Sequence, residues 1–146
     1  LGGLLGHAGE VALELAGGGL HAQRQLTALG FQAADLAQLA RALGPDYRAS
    51  IVESHHVHKK DAPSGTAKRL AGALRSAGAD LPDDQVLSIR AGDIIGTHVI
   101  TLSGPGESIE LTHRATCRDL FARGALRAAK WLAGKPAGLY RIEETI

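Results

Sequence analysis

The chain has 146 residues, the size of one ordinary domain and enough to bury a hydrophobic core. Hydrophobic residues make up 45% and charged residues 21%, and the net charge of +1 argues against a nucleic-acid or membrane-surface partner. Aromatic residues, at 3%, are too few for a base-stacking surface. The single cysteine, Cys117, excludes an intrachain disulfide and suits a reducing cytoplasm, where we expect the protein to act.

The first 30 residues are rich in Gly, Ala and Leu. Gly3, Gly6 and Gly9 precede a helix-like run over residues 11–15. A glycine-rich turn of this kind cradles a pyrophosphate only when a buried strand precedes it, and two residues cannot form one, so we interpret the glycines as loop or helix-end residues. Because the sequence contains no methionine, we expect that it begins after its translation start and that part of the natural protein is missing.

From residue 31 the hydrophobic pattern becomes regular. Apolar residues at helical spacing predict helices over residues 31–43 and 66–77. A short buried strand is predicted between them, over residues 49–53. Either Asp61 or Ser64 could cap the second helix.

Three strand-like runs follow, over residues 85–90, 98–102 and 108–113. Their partial alternation predicts an antiparallel meander with one packed face. Residues 116–119, Thr-Cys-Arg-Asp, resemble a capping box that opens a last helix through Leu132. The sequence therefore predicts an α+β fold, in which a small mixed, largely antiparallel sheet packs against helices.

A histidine-rich run at the end of the first predicted strand carries most of the chemistry of the chain. His55, His56 and His58 stand within four positions of one another. In an extended segment alternate side chains share a face, so we expect His56 and His58 on one side and His55 on the other. Imidazoles titrate near neutral pH, so one of them can serve as an acid or a base.

Two lysines and the start of a predicted helix directly follow the histidine-rich run. Lys59 and Lys60 stand beside the histidines, and a Pro-Ser-Gly-Thr segment leads into the second helix. The amides near Gly65 and Thr66 lie at a helix N-terminus, where unpaired N–H groups favour an anion. The pattern indicates a site for a substrate that carries a carboxylate or a phosphate.

Other interpretations of these residues remain open. The histidines could form a solvated loop, or pack as rings bonded to carbonyls. A metal site would need neutral imidazoles to bind zinc beside two ammonium groups, with no cysteine or second carboxylate at ligand spacing, so we assign no metal. We interpret His98 and His113 as structural, Arg118 and Arg123 as surface charges, and Cys117 as a small core or cap residue.

Residues 55–67, His-His-Val-His-Lys-Lys-Asp-Ala-Pro-Ser-Gly-Thr-Ala, resemble the signature of the 4-hydroxy-tetrahydrodipicolinate reductase family, also called dihydrodipicolinate reductases. The resemblance extends from about residue 36 to the end. It includes four later blocks, at residues 89–98, 106–113, 121–125 and 131–140.

This resemblance implies an NAD(P)H-dependent oxidoreductase, with NADPH or NADH as cofactor, that reduces a small cyclic dicarboxylate on the diaminopimelate route to lysine. It implies a homotetramer. Position by position, it makes His55 the proton donor or acceptor, Lys59 the catalytic lysine and His56 a substrate-binding residue. Gly65 and Thr66 match the pair whose main chain holds a substrate carboxylate.

The chain departs from the family pattern at its N-terminus, where the family has a Rossmann nucleotide-binding domain. Residues 1–30 are too few for such a domain, so we expect most of it to be absent and these residues to be a possible remnant. We expect residues 31–146 to form the substrate-binding and oligomerisation domain, and we assign no cofactor-binding residue. The alternative is a catalytically inactive dicarboxylate-binding or oligomerisation module.

Overall fold

The computed structural model describes residues 11–14, 21–24, 33–140 and 144. Its helices and strands, in chain order, are β1 (Val11–Glu14), β2 (His21–Arg24), α1 (Ala33–Leu43), β3 (Arg48–His55), α2 (Gly65–Ser76), β4 (Val86–Arg90), β5 (Gly96–Gly104), β6 (Glu107–Ala115) and α3 (Asp119–Leu132). A short 3-10 turn, Asp83–Gln85, precedes β4. The chain divides into two compact units, Leu29–Cys117 on the one hand and Leu1–Ala28 with Arg118–Ile146 on the other.

The larger unit is built on a four-stranded sheet in the order β4-β3-β5-β6. β3 pairs parallel with β4 and antiparallel with β5, and β5 pairs antiparallel with β6. Together with α1 and α2, this sheet confirms the predicted α+β fold with a mixed, largely antiparallel sheet.

The predicted meander of three consecutive strands is wrong in one respect. β5 and β6 form an antiparallel hairpin, but β4 lies on the far side of β3 and never pairs with β5. A parallel neighbour requires a crossover connection, and α2 supplies it between β3 and β4. Alternation along a strand reports which face is buried and does not report which strand lies beside it, so the sequence pattern could not locate β4.

The hydrophobic core lies between this sheet and its two helices. It joins apolar side chains from α1, α2 and the sheet: Leu36, Ala40, Ala49, Ile51, Ala67, Leu70, Ala71, Leu74, Leu81, Ile100 and Leu102. Each large side chain buried in this way stabilises the fold by roughly 1.5–3 kcal/mol. Inward-facing positions alternate along β3, so Glu53 and His55 continue the row that Ala49 and Ile51 begin. The core thus ends in polar groups at the C-terminal end of β3.

The structure tests the predicted N-terminal caps of α2 and α3. Ser64 caps α2, because its Oγ accepts a hydrogen bond from the Ala67 amide at 3.2 Å, so Ser64 rather than Asp61 is the cap. The predicted capping box of α3 is wrong. That helix begins at Asp119, and the preceding Arg118 has helical dihedral angles and makes no side-chain cap.

In the smaller unit, β1 and β2 form an antiparallel pair in which Val11 lies opposite Arg24. The helix that we expected over residues 11–15 is therefore wrong, since Val11–Glu14 is a strand. The glycine triplet at positions 3, 6 and 9 lies outside the described residues, and the domain boundary at residue 30 stays a prediction. None of the helices in the described part of the chain is long and apolar enough to cross a membrane.

Candidate functional site

Strand register assembles the site from residues that lie far apart in sequence. Glu53 of β3 lies opposite His98 of β5, and His98 lies opposite His113 of β6. Two residues further along β3, His55 lies opposite Arg90 of β4. Two adjacent cross-strand rows therefore place a carboxylate, three imidazoles and a guanidinium together at the end of β3.

Glu53 is the centre of this arrangement, and it is fully buried. Its Oε1 accepts hydrogen bonds from Arg90 Nη2 at 2.7 Å and from the Ser64 amide at 3.2 Å, and its Oε2 is bonded to His55 Nδ1. Burial by itself raises the pKa of Glu53, but the hydrogen bonds from Arg90 and His55 outweigh it and hold the pKa below its usual value. The carboxylate is thus ionised at neutral pH inside the fold.

His55 is buried against this carboxylate, so its Nε2 is the nitrogen left for chemistry. Burial lowers the pKa of His55. The Glu53 carboxylate opposes that shift only in part, and the charges of Lys59 and Arg90 add to it. The ring is therefore mainly neutral near pH 7. Gly96 of β5 makes room for it, since a Cβ there would lie 3.2 Å from His55 Nε2.

His98 lies beside His55 as a second buried imidazole. The two rings meet edge to face with centroids 5.3 Å apart, and His98 Nε2 lies 3.2 Å from the Oγ of Ser64. Burial, followed by the neighbouring His55, lowers the pKa of His98 to about 4, so this ring stays neutral at physiological pH. The contact between Ser64 and His98 thereby connects the N-cap of α2 to the pair of imidazoles.

Lys59 supplies a buried positive charge next to the imidazoles. It is only 8% exposed, which is rare for a lysine, and its Nζ lies 2.8 Å from Asp61 Oδ1. Its amide donates to the carbonyl of His56 at 3.1 Å, which closes a tight turn just after β3. Asp61, which the sequence offered as a helix cap, is instead the carboxylate partner of this lysine.

The entry of α2 completes the site. Ser64 Oγ and Ser64 O accept from the amides of Ala67 and Lys68 respectively. Gly65 and Thr66 are half-buried at the first two helical positions, where amides have no intrahelical acceptor and can bond an anion.

His56 is half-buried and lies beside the exposed His58, with ring centroids 6.2 Å apart. His55 turns instead to Glu53. This is the division between the histidines that strand alternation predicts.

The buried carboxylate and imidazoles could alternatively bind a metal ion. Within the described residues, one group of possible ligands stands out: single atoms of Glu53, His55 and His98 lie within 4.8 Å of one another. Both oxygens of Glu53 are already bonded, one of them to Arg90, and Lys59 adds a second cation nearby. A cation would have to displace these bonds, so the cluster fits a hydrogen-bonded network better than a metal centre.

The five residues that the sequence and its family resemblance select all lie between the last residue of β3 and the first turn of α2: His55, His56, Lys59, Gly65 and Thr66. Their individual roles stay predictions. Sequence reasoning left out Glu53, Arg90 and His98 as site residues. A signal existed for two of them, because Glu53 and His98 stand at alternate positions in rows of core residues, where a polar group must find a partner.

A dinucleotide such as NADPH or NADH places different demands on a fold. It binds at a glycine-rich turn between a strand and a helix of a parallel βαβ unit. In the described residues such a unit is formed by β3, α2 and β4, but its strand-to-helix loop carries imidazoles, Lys59 and Pro63 instead of that glycine pattern. The described residues fit a small anion and do not fit a dinucleotide.

Comparisons with known proteins place the chain in a family. A family model described as "Dihydrodipicolinate reductase, C-terminus" matches residues 29–146. The chain is 52% identical over 112 residues to the 4-hydroxy-tetrahydrodipicolinate reductase of Xanthomonas axonopodis pv. citri (strain 306), a match that covers 77% of this chain and 46% of the relative. It is 45% identical over 127 residues to the enzyme of that name from Myxococcus xanthus (strain DK1622), which covers 75% of this chain and 47% of the relative.

A solved structure shares the fold. It is the dipicolinate-bound dihydrodipicolinate reductase from Paenisporosarcina sp. TG-14, similar with a TM-score of 0.54 at 21% identity over 75% of this chain and 48% of that one. The chain spans about half the length of the curated relatives that it matches. On the family match over residues 29–146 and on the identity to these relatives, the chain belongs to the dihydrodipicolinate reductase family.

Proposed function

We propose that this chain supplies the substrate-binding and proton-transfer part of a 4-hydroxy-tetrahydrodipicolinate reductase. The observation that carries the proposal is the buried pairing of His55 with Glu53 beside buried Lys59, at the entry of α2. Buried titratable groups of this kind concentrate at functional sites. The names of the relatives and the dipicolinate in the solved neighbour support a cyclic dicarboxylate as the ligand.

The dicarboxylate is held through its charge. One carboxylate accepts hydrogen bonds from the amides of Gly65 and Thr66, and the dipole of α2 favours the negative charge. The ammonium group of Lys59 pairs with the substrate from the loop before the helix, in exchange for part of its contact with Asp61. His56, half-buried on the same loop, contributes a further hydrogen bond. These contacts fix the ring beside His55.

His55 then exchanges a proton with the bound substrate. The reduction consumes one hydride and one proton and releases water, and His55 Nε2 is the atom that exchanges the proton with the substrate. When Nε2 carries the proton, the ring is an imidazolium, and the ionised Glu53 behind it stabilises that charge. His98, with its pKa of about 4, stays neutral beside it and does not compete for the proton.

The hydride comes from a reduced nicotinamide nucleotide, NADPH or NADH, as the family implies. Because the described residues do not fit a dinucleotide, no residue of this chain is assigned to it. We further propose that the protein acts in the cytoplasm, on the diaminopimelate route to lysine, as a homotetramer with no nucleic-acid or membrane partner. The inactive dicarboxylate-binding module has the same substrate site, and turnover by this chain with either nucleotide would exclude it.

Calorimetric titration with pyridine-2,6-dicarboxylate tests the substrate site. We expect wild-type binding to weaken by about 10- to 100-fold in Lys59→Ala, since a charge-assisted hydrogen bond contributes about 1.5–3 kcal/mol. Gly65→Val should abolish binding by pushing the ligand away from the helix entry. Lys60→Ala, which removes the exposed neighbouring lysine, is the matched control and should change affinity little. Equal losses in the two lysine variants, or no wild-type binding, would contradict the proposal.

A further inference from the structure

We infer that Glu53 is a positioning residue for His55, and that Arg90 and the Ser64 amide orient Glu53 so that the His55 proton is held on Nδ1 and Nε2 faces the substrate unprotonated. The inference rests on the proposed function in one respect, that His55 Nε2 is the atom that exchanges the proton. The geometry itself does not depend on that function.

The two oxygens of Glu53 have different partners, and that difference carries the argument. Oε1 accepts from two donors that can only donate, the guanidinium of Arg90 at 2.7 Å and the amide of Ser64 at 3.2 Å. Oε2 faces His55 Nδ1. An ionised carboxylate can only accept, so the shared proton belongs to Nδ1 and the neutral ring has a free lone pair on Nε2.

Arg90 is itself fixed, which makes the carboxylate rigid. Its Nη2 also donates to the carbonyl of Asp61 at 2.5 Å, and its Nη1 donates to the carbonyl of Ile89 at 2.7 Å. The guanidinium thus connects the end of β4, the loop that carries Lys59 and the carboxylate of Glu53. Because Arg90 is held from three directions, it fixes the carboxylate of Glu53. The fixed carboxylate in turn leaves His55 one orientation and one tautomer.

A purely structural role accounts poorly for a charged residue at this position. Glu53 is fully buried on the core-facing side of β3, two residues after the buried Ile51. Burying an ion pair is often no more favourable than packing apolar side chains of the same volume. Control of the neighbouring imidazole explains why a carboxylate stands there.

An amide at position 53 should reverse the tautomer. In Glu53→Gln, Arg90 and the Ser64 amide require the amide oxygen at the Oε1 position, because both are donors. The NH2 group must then face His55 Nδ1, which becomes an acceptor, and the ring proton moves to Nε2. In the Ser-His-Asp triad, the corresponding change of the carboxylate partner to an amide (Asp to Asn) stabilises the wrong tautomer and lowers kcat by about 10⁴-fold.

Long-range ¹H–¹⁵N NMR spectra of histidine-labelled protein at neutral pH test the inference, because they distinguish the two tautomers. We expect wild-type His55 to carry its proton on Nδ1 and Glu53→Gln to carry it on Nε2. Glu110→Gln, which makes the same change at an exposed position of β6, is the control and should leave His55 as in wild type. An Nε2–H tautomer in wild type, or an unchanged Nδ1–H tautomer in folded Glu53→Gln, overturns the inference.

The wild-type measurement needs no variant, so the inference can fail even if Glu53→Gln does not fold. Its failure is also distinct from failure of the proposed function. Loss of dicarboxylate binding in the calorimetric test would refute the substrate assignment while the NMR result stands. Conversely, normal binding together with the wrong wild-type tautomer would refute the role of Glu53 alone.

Discussion

At the scale of single residues, Gly96 controls the space around the reactive nitrogen of His55. It is the first residue of β5, and a Cβ there would meet only the His55 ring, 3.2 Å from Nε2 and 3.5 Å from Cδ2. An alanine at this position would force the ring to shift by a few tenths of an ångström. The ring is held from the other side by Glu53, so it cannot move freely.

We therefore expect Gly96→Ala to destabilise the fold by about 1 kcal/mol, as mild overpacking does, and to shift the NMR signals of His55. The measurement is urea unfolding of a double-mutant cycle with His55→Ala. If the ring is the obstacle, Gly96→Ala should cost little once the imidazole is gone. An equal loss in both backgrounds would show that the clash lies elsewhere.

At the scale of elements, the order of the strands decides what meets at the end of β3. The central position of β3 allows Glu53 to bond Arg90 from β4 on one side and to face His98 from β5 on the other. The α2 crossover then returns the chain over the sheet with its N-terminus beside the same residues, because the Ser64 amide donates to Glu53. The site is thus a property of the β3-α2-β4 unit together with the β5 strand.

The β5–β6 hairpin has its own packing constraint at its turn. Tyr47, just before β3, lies over Gly104, where a Cβ would come within 2.6 Å of the ring, and its hydroxyl bonds Glu107 at the start of β6. We expect Gly104→Ala to destabilise the protein by about 1–3 kcal/mol in urea unfolding, through this clash.

Gly72→Ala is the matched control for that hairpin prediction. It makes the same change on the exposed face of α2, where no atom lies within 4 Å. It should stabilise the protein by about 0.5–1 kcal/mol, because alanine favours a helix. Destabilisation of similar size in both variants would argue against the Tyr47 contact.

At the scale of the whole molecule, the buried imidazoles make stability depend on pH. The pKa values of His55, His98 and His113 are all lowered in the fold, mainly by burial. Between the folded and the unfolded pKa the unfolded chain binds more protons, so stability is lost as pH falls through that range. For His98 the range runs from 6.5 down to about 4. The lowered pKa of Glu53 acts in the same direction.

We expect the free energy of unfolding to fall between about pH 7 and about pH 4, with His98 contributing up to about 3 kcal/mol of the loss. Urea unfolding at several pH values measures the slope. His98→Gln should reduce the slope even if it lowers stability at neutral pH, whereas the exposed His58→Gln should leave it unchanged. A slope that His98→Gln does not alter would contradict this assignment.

The sequence by itself determined the α+β class, the approximate positions of α1, α2 and β3, and the segment from the end of β3 to the start of α2 that carries His55, Lys59 and Gly65. These features are local, because hydrophobic periodicity, helix caps and charge patterns are written in neighbouring residues. Periodicity also misled where it was short. The apolar pattern of residues 11–15 predicts a helix, whereas Val11–Glu14 form β1, because a four-residue strand and a helical turn look alike in apolar content.

Only the tertiary structure decided which strands are neighbours, and with that the electrostatics of the site. Glu53 and Arg90 stand 37 positions apart and yet are hydrogen-bonded, because the α2 crossover brings β4 alongside β3. His98 becomes a partner of Ser64 through the antiparallel register of β5. The histidine run could be recognised from its own residues, whereas the burial and the bonds that fix its protonation come from chain segments that sequence order keeps apart.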